Sequence, residues 1–117
     1  MRYVMILVGD ESKWSDPEVA EGLMDEINTW WQKWSEAGKI VAGGAELAPS
    51  STGKTISPGP GGAPEVTDGP YLEIKEVVGG FLLLDTDDLD EAIAVASGWP
   101  GIAAVGDRVE VRPEMVR

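Results

Sequence analysis

A chain of 117 residues is the size of one domain, and with 43% hydrophobic and 26% charged residues it has the composition of a folded protein rather than a disordered one. Twenty-one acidic against nine basic side chains give a formal charge of -12, which repels phosphate backbones and anionic lipid surfaces and argues against direct nucleic-acid or membrane binding. Cysteine and histidine are both absent, which excludes disulfides, thiol nucleophiles, Ser-His-Asp hydrolysis and His-dependent metal chemistry, and leaves carboxylate, lysine or tyrosine as acid-base groups.

The first element in chain order is the apolar run Tyr3 to Val8, which reads as a buried strand. It is far shorter than the roughly 18 residues of a membrane span. It also lacks the cleavage pattern of a signal peptide, so a cytoplasmic location is expected. Beyond a polar turn, Val19, Leu23, Ile27, Trp30 and Trp34 recur at spacings of three and four, the stripe of an amphipathic helix. Ser15 or Asp16 is placed to cap it, Glu18 to complete a capping box with Ser15, Pro17 to occupy the first turn and Gly38 to stop it.

Lys39 to Leu47 reads as a second strand in which Gly43 and Gly44 mark a bulge or a close backbone approach. Thr52 to Ser57 suits a short partner strand. Ser57 to Pro64, with three prolines and repeated glycines, is expected to be a turn inside the domain without helix or regular ladder. Val78 to Leu84 is the second strongly apolar strand. Leu89, Ala92, Ile93 and Ala96 then repeat at helical spacing, entered through Thr86, Asp87 or Asp88 and left at Gly98 before Trp99-Pro100. Arg108 to Arg112 alternates charged and apolar residues as a half-exposed strand that Pro113 ends.

This order predicts an α+β domain spanning 1–117, with a ferredoxin-like split βαβ arrangement, an antiparallel sheet and helices on one face. The other sheet face is left uncovered, so a homodimer is expected.

Of the motifs, Gly53-Lys54-Thr55 resembles the end of a phosphate-binding loop, but Ala48 stands where the pattern needs glycine and Ile56-Ser57-Pro58 where it needs a helix. A hairpin turn is the expected structure. The cluster Asp85, Asp87, Asp88, Asp90 and Glu91 lacks calcium-loop spacing and is explained by helix capping, so no metal or other cofactor is expected. Trp30 and Trp34 fall on the apolar stripe and are expected in the core, whereas Trp31 is displaced enough to line a groove and is a ligand-stacking candidate. Asp68-Gly69-Pro70 is a rigid turn signal in which the Asp carboxylate bonds nearby backbone amides and Gly takes positive φ. After it, Tyr71, Glu73 and Lys75 bring a phenol, a carboxylate and an ammonium close in sequence. Asp68, Tyr71 and Lys75 are therefore candidates for proton transfer, and Asp68, Tyr71, Glu73 and Trp31 for binding a ligand. A solvated connection with a salt bridge is the competing reading.

Asp68-Gly69-Pro70-Tyr71-Leu72-Glu73-Ile74-Lys75-Glu76, followed by Gly79-Gly80-Phe81, resembles the DGPFAETKE signature of the YCII-related, or DGPF-domain, proteins. The resemblance extends to the opening strand with Gly9-Asp10-Glu11, to Gly43 through Pro49, to the Asp-Leu-Asp-Glu-Ala helix start, and to the closing Val109-Glu110-Val111-Arg112-Pro113. It implies a ferredoxin-like subunit pairing into a dimeric α+β barrel. A His and Asp pair proposed as the active site in a related branch has no counterpart here, because this chain has no histidine. Some DGPF proteins are encoded beside, or fused to, sigma factors. The resemblance thus implies a small-molecule-binding or regulatory domain acting with a sigma factor, the alternative being an enzyme of the dimeric α+β barrel type.

Overall fold

The computed structural model describes residues 1–69 and 76–117. Four strands form an antiparallel sheet: β1 (Arg2–Asp10), β2 (Ile40–Glu46), β5 (Glu76–Asp85) and β6 (Arg108–Pro113), in the spatial order β2-β5-β1-β6. Between β1 and β2 runs the long helix α1 (Pro17–Glu36), and between β5 and β6 run α2 (Leu89–Ser97) and a short α3 (Pro100–Val105). This is the ferredoxin-like α+β arrangement, with helices on one face of the sheet. A separate two-stranded hairpin, β3 (Lys54–Pro58) with β4 (Pro64–Asp68), stands between β2 and β5 in the chain.

Alternation along the strands sets the core. Tyr3 and Met5 of β1 and Leu82 and Leu84 of β5 are buried under the helices, whereas Val4 and Ile6, and opposite them Leu83 and Phe81, project to the other face and are only half-buried. From α1 come Leu23, Ile27 and Trp30, and from α2 Ala92, Val95 and Ala96. The indole of Trp30 donates to the Val95 carbonyl at 3.1 Å and meets Trp99 edge-on, with ring centroids 5.4 Å apart, tying α1 to the segment after α2.

Several local features differ from the sequence expectation for identifiable reasons. Of the two expected capping candidates Asp16 caps α1, its carboxylate accepting from the Glu18 amide at 3.0 Å, in place of the capping box expected from Ser15 and Glu18. Ser15 instead closes a 3₁₀ turn at Glu11–Trp14, its hydroxyl donating to the Ser12 carbonyl. In α2 the buried face is Ala92, Val95 and Ala96, so Leu89 and Ile93 point to solvent; an alanine-rich helix fits two phases of the same period. The proline-rich run is the connection of a hairpin whose second strand, β4, has little apolar character to announce it. Its turn places Gly61 and Gly62 at φ +71 and +82, and the ladder reaches Pro58 and Pro64 only as its last pair, beside the turn. The start of α3 at Pro100, immediately after Trp99, is a further element that the glycine stop at Gly98 concealed. The bulge expected in β2 is present between Val41 and Ala45. There a side chain at Gly44 would stand 2.4 Å from the Phe81 carbonyl oxygen, so only glycine admits the approach.

Candidate functional site

The register of β1 with β5 shifts between Leu7 and Val8, and that of β2 with β5 between Val41 and Ala45; α1 lies beside this irregular end of the sheet. A cleft of 560 Å³ opens between them. On α1 its wall is Met24, Ile27, Asn28 and Trp31, spaced three and four apart and therefore on one edge of the helix. Opposite them the lining includes Leu7 and Val8 of β1, Leu82 of β5, Trp14 and Trp99. Glu11 closes one side: its two carboxylate oxygens accept from the Ser50 amide at 2.6 Å and the Ser50 hydroxyl at 2.8 Å, clasping the β2–β3 connection, with Pro49, against the cleft.

At the buried end stands Asp107, 8% exposed. Local folding puts it there. Pro100 starts α3, and Gly106 ends it at φ +71, so that the amides of Gly106 and Asp107 both turn back to the Gly101 carbonyl. The Asp107 carboxyl then lies over two glycines: a Cβ at Gly9 would be 2.2 Å from one of its oxygens, and a Cβ at Gly101 would be 2.1 Å from the other. The Trp99 indole N–H donates to Oδ2 at 3.0 Å, the one hydrogen bond this carboxyl receives from a side chain among the described residues. A carboxylate has room for about four donors. Burial pushes the Asp107 carboxyl above the ordinary aspartate range, and the Trp99 hydrogen bond opposes that rise without cancelling it.

Among the described residues, the lining contains four carboxylates, Asp10, Glu11, Glu46 and Asp107, and no lysine or arginine. Asp10 accepts from the Ser12 amide at 3.0 Å and the Ser12 hydroxyl at 2.7 Å. The cleft is thus an apolar, indole-walled space with acidic groups at its buried end and its rim. Such a space takes up a small organic molecule and hydrogen-bonds or charge-pairs one end of it.

Of the residues singled out from the sequence, Trp31 lines this cleft, 45% exposed. Asp68 is not among the residues that line it: its side chain is 88% exposed and accepts from Lys54 Nζ across the hairpin, and the amides that follow Pro70 in the turn motif lie outside the described residues. Gly69 has the expected positive φ, +75. Tyr71, Glu73 and Lys75 lie outside the described residues. The signature's last residue, Glu76, pairs with Asp10 at the rim of the cleft and meets Arg108 Nε at 3.6 Å. The acidic cluster at the α2 start has structural partners: Asp88 caps the helix, Asp85 meets the chain's first amino group, and Glu91 meets Lys39 Nζ at 2.7 Å. That last contact lowers the Glu91 carboxyl and raises the Lys39 ammonium. No group of three or more potential ligands placed to hold a metal occurs among the described residues, nor a helix long and apolar enough to cross a membrane.

Asp107 escapes sequence reasoning because it reads as an ordinary residue before a strand. The signal that marks it is the proline start and glycine stop around 100–106, which outline a helix whose end aims the next side chain inward.

The chain is 34% identical over 116 residues to an uncharacterised protein of Rhizobium meliloti strain 1021, an alignment covering 97% of this chain and 91% of that one. The YCII-related domain matches residues 1–115, and the chain belongs to the YCII-related family.

Proposed function

We propose that this protein is a cytoplasmic homodimeric domain that binds a small organic molecule in the cleft between α1 and the bulged end of the sheet, as a ligand-responsive regulator. The observation that carries this reading is the cleft itself: 560 Å³, walled by Trp14, Trp31 and Trp99, with the carboxyl of Asp107 at its buried end. Enclosed apolar pockets with a few placed polar groups are the usual form of a small-molecule site.

The dimer reading is supported by the sheet face opposite the helices. Register places Val41, Leu83 and Val4 in one row across that face and Ala45, Phe81 and Ile6 in another, flanked on β6 by Arg112 and Glu110, which pair with each other. An apolar sheet face of this kind needs a cover, and a second copy supplies an identical one. Leu83→Lys is expected to convert the dimer to monomer in analytical ultracentrifugation.

A thermal-shift screen of metabolites against the purified protein tests the ligand reading. At a ligand concentration a hundredfold above Kd, a site of this kind gains about 2.7 kcal/mol of stability. If no compound raises the melting temperature while a sigma factor co-purifies, the protein is an interaction module acting through protein contact, consistent with a surface too acidic for nucleic acid.

A second reading, proton-transfer catalysis, is favoured by one observation: Asp107 is an enclosed carboxyl with a raised proton affinity, the property of a general acid. The candidates Asp68, Tyr71 and Lys75 belong to the same reading. Asp68→Asn and Asp107→Asn, compared for turnover of any compound the screen finds, separate them; turnover surviving both removes carboxylate catalysis.

A further inference from the structure

We infer that the ligand of the cleft is an amphipathic organic cation, an aryl or alkyl amine whose hydrophobic part lies among the indoles and whose ammonium is received by Asp107. The inference rests on the cleft being the ligand site and adds the chemistry of its occupant. Three independent features converge on it.

The charge of the lining comes first. Four carboxylates and no basic side chain line the cleft among the described residues, so an anionic ligand would meet like charge at Glu11, Glu46 and Asp107. Arg108, which follows Asp107 directly in the chain, meets Glu76. From the other elements packed around Asp107, α3 contributes no charged side chain and α1 contributes only the uncharged Met24, Ile27, Asn28 and Trp31.

The wall is the second feature. Trp14, Trp31 and Trp99 line it, and indole is the side chain whose π-face attracts cations most strongly. Among the described residues no lysine or arginine joins this wall, and the Trp99 N–H is already committed to Asp107 at 3.0 Å.

The third is the state of Asp107. Although 8% exposed, it receives one side-chain hydrogen bond among the described residues, and it lines the cleft. Glycine at both Gly9 and Gly101 leaves room for the carboxyl. An ammonium would supply the donors that the protein withholds, and would return to the carboxylate the stabilisation that burial removes.

The test is a charge series of one shape. Phenethylamine, phenethyl alcohol and phenylacetate share a ring and a two-atom reach and differ in the sign of one end. Dissociation constants are measured by intrinsic indole fluorescence at neutral pH on the wild-type protein and on Asp107→Asn, which keeps the side-chain shape and an acceptor for Trp99. The amine is expected to bind about tenfold or more tighter than the alcohol, and phenylacetate weakest. In Asp107→Asn the preference of amine over alcohol should fall to about twofold, with alcohol affinity little changed. Equal binding of amine and alcohol, or tighter binding of phenylacetate, overturns the cation inference while leaving the cleft as a ligand site. An unchanged preference in Asp107→Asn overturns the assignment to Asp107. No fluorescence response to any of the three overturns the cleft reading and the inference together. Unfolding curves recorded for Asp107→Asn separate a loss of binding from a loss of fold.

Discussion

Asp68 and Asp107 both adjoin a glycine of nearly the same left-handed geometry, Gly69 at φ +75 and Gly106 at φ +71. Asp68 ends a strand of the hairpin, its side chain 88% exposed and paired with Lys54. Asp107 follows a helix, 8% exposed, with its carboxyl between two glycines and an indole. The turn chemistry is alike, and the chemical environment is decided by what tertiary packing brings to the side chain. A distinctive string and a perturbed carboxyl therefore need not coincide: the family signature is the memorable segment, and an unremarkable Gly-Asp-Arg forms the buried end of the cleft.

The contrast is sharpest in stability. Leu84, fully buried in the helix-backed sheet, should cost about 2–5 kcal/mol when truncated to Ala. Ile56 on the hairpin, 69% exposed, should cost no more than about 0.5 kcal/mol. Urea unfolding of both variants measures the difference. A cost at Ile56 comparable to Leu84 that grows with protein concentration would break the comparison, by showing that a second copy covers the hairpin.

Glycine substitution is the next largest effect. Gly101→Ala drives a Cβ into the Asp107 carboxyl and the Trp99 indole and should destabilise by about 1–3 kcal/mol. Much of that should return in the double variant Gly101→Ala/Asp107→Ala, the signature of direct coupling. Gly69→Ala meets no neighbour within 4 Å and pays only the left-handed backbone penalty, about 1–2 kcal/mol, which Asp68→Ala should leave unchanged.

The Asp107 carboxyl should also give the stability a pH dependence. The folded chain holds the Asp107 proton more tightly than the unfolded chain does, because burial raises the folded-state value. The resulting stability is complete below the ordinary aspartate pKa of about 3.9 and is lost as pH rises through the raised value. Asp107→Asn should accordingly flatten the stability–pH curve across the weakly acidic range and gain relative to wild type as pH rises. Identical slopes for wild type and variant would contradict the assignment. The smallest effect is expected at the hairpin: Asp68→Asn should change stability by less than about 0.5 kcal/mol, since an exposed pair contributes little.

Much of the fold was legible because burial imposes a period. Tyr3 to Val8 and Val78 to Leu84 announce themselves as paired central strands, and Leu23, Ile27 and Trp30 as the buried stripe of α1. Where the apolar signal is thin, reading fails: β4 carries a lone Val66 that is 61% exposed, and α2 offers alanines that fit two helical phases. The site was harder still. Trp31 could be placed at a groove because it lies one step off the helical stripe. Asp107 could not be placed, since its environment is assembled from Gly9, Trp99 and Gly101, two of them on other turns of chain and one on the opposite side of the sequence.

The five indoles provide the most direct test of the cleft as the ligand site. Trp14, Trp31 and Trp99 line it, Trp34 lies outside it beneath Lys33, and Trp30 is bonded to the Val95 carbonyl. In a proton–nitrogen correlation spectrum titrated with phenethylamine, the indole N–H signals of Trp14, Trp31 and Trp99 should move on one saturable curve. That of Trp34 and the backbone amides of Thr55 and Gly69 in the hairpin should stay in place. Saturable shifts at the hairpin amides, with the three cleft indoles unmoved, would contradict the account.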